Sequence, residues 1–413
     1  MILKGLNKIL ARRIYLKLII FSLVLQIVSL FRNYPLNHPC GRVLDITWGM
    51  EVLINCDSAV YMKDAQSPSR LFNGESVYQD RPLPTLLIAV AARLWHFLKL
   101  PDYNRDVVGN SGIIINYSLI TYIFFLLLSV FVLCVSCWLG IKTFSIISNK
   151  FTIKNEIFIL IALLFTTLLS MNELTKTFFW TPGSQMFNLL IPVYLFYLLQ
   201  FANTSVTTKF FIFNLIMFTL LMFSYAFFIL VAIPLMLIKW KSFRFRSAAV
   251  ATSILIYAAY PQILQLCGGT YNNFALGYRR MYLWVLDSYF DHQLFQNLGK
   301  NFLFFANTFP ILPIILALLI FLIVTYKSGF LLDFLTLVRL EIILLFFYFL
   351  TFGLYGYYSR RLTYPLMIFL FLIILKIYAF YSSKVVNRKN MIIIIFIFPF
   401  VLYSWVFTNG PLI

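Results

Sequence analysis

Apolar runs that approach or exceed the roughly 20 residues a helix needs to cross a bilayer recur along the whole chain. Of its 413 residues 62% are hydrophobic and only 11% charged, more apolar sequence than a soluble core can bury. In hydrocarbon every backbone donor and acceptor needs an internal partner, and the runs lack the period-two alternation of a membrane barrel, so they are read as helices. The expected fold class is therefore all-α: a polytopic integral membrane protein, with residues 1–413 forming a single transmembrane domain.

Orientation follows from lysine and arginine, which cytoplasmic loops retain. Lys4, Lys8, Arg12, Arg13 and Lys17 place the N-terminus in the cytoplasm. A first span over residues 14–31 has no small-residue cleavage site and reads as an uncleaved anchor, after which the chain stays outside through residue 111. Further spans are expected over 112–139, 157–171, 187–201, 210–223, 225–239, 248–267, 302–325, 340–357, 363–381 and 391–407. That makes about 11 transmembrane helices and an extracytoplasmic C-terminus. The segment from Phe210 to Leu237 is too long for one ordinary span and is basic at both ends, so a hairpin turning near Ser224 and Tyr225 is expected.

On this layout the cytoplasmic segments hold 19 Lys and Arg against 3 Asp and Glu, and the outer segments hold 14 against 11. The cytoplasmic excess accounts for the net charge of +19 through membrane insertion and attraction to anionic lipid, and no nucleic-acid partner is expected. Six of the outer acids lie between Arg32 and Pro84. Three outer arginine clusters work against the insertion bias: Arg81, Arg279 with Arg280 in the second larger outer loop (268–301), and Arg360 with Arg361 among Tyr355, Tyr357, Tyr358 and Tyr364. A guanidinium fork suits phosphate, and the alternative for each is a side chain that snorkels to lipid head groups.

The first outer loop, 32–111, reads in two parts. Residues 32–83 carry the acids; Pro84 to Leu100 is expected to be a helix, interfacial or re-entrant, because counting it as a crossing would invert everything downstream. Tyr282 to Phe295, with Asp287 and Asp291 among aromatics, is expected to lie in the interface as well.

Asp57-Ser-Ala-Val-Tyr-Met-Lys-Asp-Ala followed by Asp80-Arg-Pro-Leu-Pro-Thr-Leu-Leu, together with Asn172-Glu173-Leu-Thr-Lys176 running to Trp180-Thr-Pro182 and the late Ser359-Arg360-Arg361-Leu-Thr-Tyr-Pro365-Leu, resembles the polytopic GT-C glycosyltransferases. The resemblance implies transfer of a sugar from a polyprenyl-phosphate donor to a glycan, lipid or protein acceptor at the outer face of a bacterial inner (plasma) membrane. An acceptor hydroxyl needs a carboxylate to take or polarise its proton, and a phosphate leaving group needs positive charge where negative charge develops. Asp57 is the candidate for the first role, with Asp45, Glu51 and Asp64 as alternatives; the ordinary reading of Asp57 is a helix cap or a solvated loop charge. Arg360 and Arg361, with Arg81, Arg279, Arg280 and Lys176, are the candidates for the second. Glu173 resembles a second-loop acid that binds the acceptor or a divalent cation, and its bland alternative is a surface ion pair with Lys176 at i+3.

No ligand cluster demands a metal: His38, His96 and His292 are scattered, and a divalent cation is allowed but not required. Cys40 and Cys56 share the outer loop and are placed to form a disulfide that holds Asp57, whereas Cys134 and Cys137 fall in a span where packing is the simpler reading. No phosphate-binding Gly-rich loop is present, which argues against a nucleotide-sugar donor. Two rivals share the lipid-linked substrate: a polysaccharide polymerase or ligase, and a transporter or flippase. The latter class carries ionisable groups deep in its spans, where this sequence shows Lys376 alone.

Overall fold

The computed structural model describes residues 2–30, 41–47, 50–102, 104–108, 114–273, 275, 283–308, 331–355 and 360–384. They are mostly helical. Helix α1 (Ile2–Ser29) leads to an antiparallel hairpin, β1 (Gly41–Thr47) with β2 (Met50–Asn55), which runs directly into α2 (Cys56–Gln66). After α3 (Pro82–Phe97), a second hairpin of β3 (Asn104–Val108) and β4 (Ile114–Ser118) leads into α4 (Leu119–Phe151). The two hairpins were not expected, and β4 occupies what the hydropathy reading placed at the start of a span over 112–139. Ser118 sets the helix start by accepting from the Thr121 amide at 3.2 Å, and its own hydroxyl is held by Asp102 at 2.8 Å, so α4 begins later and runs further than hydropathy alone implies.

Next come α5 (Asn155–Met171), the short α6 (Glu173–Phe178), α7 (Phe187–Leu199), α8 (Thr208–Met222) and α9 (Ala232–Leu237). The chain turns at Phe223 and Ser224 into a 3-10 segment over Ala226–Val231, as the basic residues on both flanks led us to expect. Its two ends come back together, since the Asn203 amide donates to Leu237 at 3.0 Å and the Lys239 amide to Thr204 at 3.0 Å. Helices α10 (Phe243–Ala258) and α11 (Tyr260–Leu266) meet at a 54° bend where one span over 248–267 was expected; Pro261 withholds the amide that would continue the first helix. Helices α12 (Trp284–Phe290), α13 (Leu294–Thr308), α14 (Leu331–Tyr355) and α15 (Arg360–Lys384) complete the described chain.

Among the described residues one helix, α4, is by itself long and apolar enough to cross a membrane, or two if the bent α10 and α11 pair counts as one span; several shorter apolar helices accompany them. The expected spans over 391–407 and most of 302–325 lie outside the described residues.

The core is built around α7, whose residues from Phe187 to Leu199 are all buried between α4, α15 and the 3-10 segment. Two packing details stand out. At Gly140 of α4 a Cβ would sit 2.1 Å from the Phe165 ring of α5, so glycine is what lets these helices approach. Gly140→Ala is therefore expected to destabilise the fold by about 1–3 kcal/mol through overpacking; an unchanged melting temperature in detergent would refute this reading of the contact. The second detail is Lys376 of α15, which is buried but not alone. It forms an ion pair with the buried Glu341 of α14 and donates to the Leu337 carbonyl at 2.9 Å.

Candidate functional site

Asn55 starts α2 by accepting both the amide and the hydroxyl of Ser58, each at 2.8 Å. Asn55 is therefore the cap, and Asp57 lies in the first turn. The Tyr78 hydroxyl donates to Asp57 Oδ1 at 2.5 Å, and the Tyr78 ring stacks on Tyr61 with centroids 4.4 Å apart and planes 6° from parallel. Tyr61, one turn beyond Asp57, is fully buried and shares a 2.6 Å hydrogen bond with Ser184 from the segment that follows Trp180. Its phenol is raised above the ordinary tyrosine range, first by burial and then through a balance in which Arg81 pulls down while Asp80 and Asp57 push up. Burial raises the Tyr78 phenol too, with Tyr61 and Asp57 adding to it, so both tyrosines remain proton donors at neutral pH.

Arg81 is the cation of this assembly. It precedes α3, lies 3.4 Å from the neighbouring Asp80 carboxylate, and places its guanidinium 4.5 Å from the centre of the Tyr225 ring, at the turn between α8 and the 3-10 segment. The same turn is tied to α3 by the Leu83 amide, which donates to Phe223 at 3.2 Å. Pro82 and Pro84 carry no amide hydrogen, and Leu83 between them supplies the single donor that this stretch offers.

A fourth segment closes the arrangement. Thr270 donates its amide to Phe72 at 2.9 Å, Gln79 donates to the Thr270 carbonyl at 2.9 Å, and Asn272 donates to Gln79 at 2.5 Å. Gly74 makes the approach possible: its φ is +80°, and a Cβ there would stand 2.7 Å from the Thr270 hydroxyl. The first outer loop, the 172–186 segment, the 223–225 turn and the start of the 268–301 loop thus meet at one end of the molecule. All four are segments that the lysine and arginine distribution assigned to the same side. At the other end the 203–206 and 237–241 segments join, with Trp240 donating to Thr208 at 3.1 Å beside Lys209, Lys239 and Lys241.

The remaining expected site residues distribute as follows. Asp64 is buried and committed elsewhere: Arg70 pairs with it at 2.9 Å and the Ser76 hydroxyl donates to it, while burial raises its carboxyl above the ordinary range against both partners. It fixes the 67–76 loop and is not available to an acceptor. Asp45 stands opposite Glu51 in the β1 and β2 register, and its side chain lies outside the described residues. Glu173 and Lys176 lie on α6, where Asn172 caps the helix by accepting from Thr175 at 2.9 Å. Lys176 is buried, and the Glu173 side chain is not described. Helix α6 packs against α15, the helix that Arg360 and Arg361 open, and those two side chains lie outside the described residues. So do Arg279, Arg280 and Cys40. Cys56 is disulfide-bonded, which tethers the residue immediately before Asp57, while Cys134, Cys137 and Cys267 are free.

Tyr78, Asp80, Ser184 and Tyr225 belong to the assembly without having been singled out for it. Tyr78 is one of 25 tyrosines, and nothing local marks it. Tyr225 carried a signal in its position at a turn beside apolar helices. Among the described residues no three His, Cys, Asp or Glu side chains gather as a cation site. No family model, curated protein or solved structure matches this chain at a significant level.

Proposed function

We propose that the chain is an integral membrane glycosyltransferase that moves a sugar from a polyprenyl-phosphate donor to an acceptor hydroxyl at the extracytoplasmic face. The observation that carries this reading is the Asp57 carboxylate, held by Tyr78 in one assembly with Arg81 at the end where the loops of outer sign meet. Membrane residence draws support from stripes of exposed apolar side chains along the helices: Leu119, Ile123, Leu127 and Phe131 on α4, and Leu87, Val90, Leu94 and Phe97 on α3. Stripes of this kind are rare on soluble monomers and match lipid contact.

In the reaction the acceptor oxygen attacks the anomeric carbon, its proton passes to the Asp57 carboxylate, and the bond from that carbon to the donor phosphate oxygen breaks. Tyr78 holds Asp57 through Oδ1 and is a positioning residue. Arg81 meets the charge growing on the polyprenyl phosphate, with Lys176, Arg360 and Arg361 as further cations. The ion pair of Glu341 and Lys376 is the feature that favours the flippase alternative, but mutual neutralisation between adjacent helices accounts for it without transport.

Full-length protein in detergent or proteoliposomes, given labelled polyprenyl-phosphate hexoses and pentoses, is expected to release polyprenyl phosphate in proportion to added acceptor. Folded, inserted protein that turns over none of these donors would defeat the proposal, as would thiol labelling that puts Gly74 or Thr270 on the cytoplasmic side.

A further inference from the structure

Five polar side-chain atoms on the segments joined to Arg81 and its Tyr61 and Tyr225 neighbours are buried without a hydrogen-bond partner: Thr85 Oγ1, Gln185 Oε1, Asn188 Nδ2, Ser224 Oγ and Tyr225 Oη. All five residues are at least nine-tenths buried. Buried polar groups in folded proteins are nearly always partnered, so one such atom is a blemish and five in one region call for an explanation.

Their positions in the fold converge. Thr85 lies one turn beyond Arg81 on α3, and Ser224 adjoins Tyr225, whose ring lies under the Arg81 guanidinium. Gln185 follows Ser184, the partner of Tyr61, and Asn188 lies one turn further on, on α7, which packs against the 3-10 segment that Tyr225 precedes. None of the five is charged. They comprise three hydroxyls, one amide oxygen and one amide nitrogen, a mixture of donors and acceptors that suits a neutral ligand with many hydroxyls. A carboxylate or phosphate only accepts: it would answer the three hydroxyls and the Asn188 amide nitrogen and leave Gln185 Oε1 without a donor, which a ligand hydroxyl supplies.

We infer that Thr85, Gln185, Asn188, Ser224 and Tyr225 form the subsite for the sugar ring of the donor, beside the phosphate held by Arg81. The inference rests on the glycosyl-transfer reading and names the part of its substrate that the chain discriminates. Every hydroxyl that pairs with one of these atoms removes an existing deficit, so the sugar adds affinity that the lipid phosphate alone lacks.

The test is a stability titration of the full chain in detergent with two probes, polyprenyl phosphate and polyprenyl-phosphate hexose or pentose. Wild-type protein is expected to bind one of the sugar-bearing lipids at least about tenfold more tightly than the sugar-free lipid, and Gln185→Leu or Asn188→Leu to reduce that preference several-fold without changing sugar-free binding. Thr85→Val and Ser224→Ala, which delete an unpartnered buried hydroxyl and so retain the fold, are expected to show the same selective loss. Equal binding of both lipids to the wild type, or variants that keep its preference, would overturn the assignment and identify the five atoms as a site for water. A raised acceptor KM with unchanged donor binding would overturn it as well, in favour of an acceptor subsite. Failure of either lipid to bind the wild type is a separate result: it removes the polyprenyl-phosphate donor on which the inference stands.

Discussion

Asp57→Asn is expected to lower kcat for glycosyl transfer by about 10²- to 10⁴-fold, the range that positioned proton transfer contributes, while leaving donor binding and the melting temperature near wild type. The separation of these effects follows from the local geometry. An amide at this position keeps an oxygen to accept the Tyr78 hydroxyl at Oδ1, and Asn55 rather than Asp57 caps α2, so neither the helix start nor the tyrosine stack depends on the charge. What the amide cannot do is take a proton from the acceptor. Retained turnover in Asp57→Asn with loss in Asp45→Asn would transfer the role to the hairpin acid. Retained turnover in both would remove carboxylate assistance from the mechanism altogether. Asp64 is no longer a competitor, because its oxygens are taken by Arg70 and Ser76.

Arg81→Lys is expected to reduce kcat/KM for the donor by about 10²-fold or more even though the charge is kept, since loss of one preorganised donor at a developing oxyanion has effects of that size. The guanidinium lies over the Tyr225 ring with its Nε 3.4 Å from Asp80, contacts that suit a planar, delocalised cation. An ammonium is a point charge on a more flexible stem and leaves both contacts poorly satisfied. Competition by polyprenyl phosphate is the discriminating measurement. If inhibition is as strong in Arg81→Lys as in wild type, Arg81 anchors the 223–225 turn and does not meet the phosphate.

Several parts of the site could be read along the chain because they depend on local chemistry. The proline-rich start of α3 and the basic flanks around Phe210 to Leu237 mark a helix start and a hairpin turn wherever they occur. Asp57 drew notice through its acid-rich loop and Arg81 through its outer position. The two β-hairpins escaped notice, since short strands next to long apolar runs leave little periodic signal. Helix α4 was misplaced for a related reason: hydropathy measures which residues tolerate lipid, whereas Ser118 and Asp102 decide where the first helical amides find acceptors.

Composition by itself determined that this chain is predominantly helical, because backbone hydrogen bonding acts residue by residue, and the distribution of lysine and arginine grouped loops that the fold brings to one end. Only the tertiary structure decided that Asp57 is held by Tyr78, that Lys376 has Glu341 for a partner, that Asp64 is committed to Arg70, and that Tyr225 lies under Arg81 from well over a hundred residues away. Those pairings arise from side chains distant in sequence being pressed together, where each buried polar group must find whichever partner the packing brings within reach.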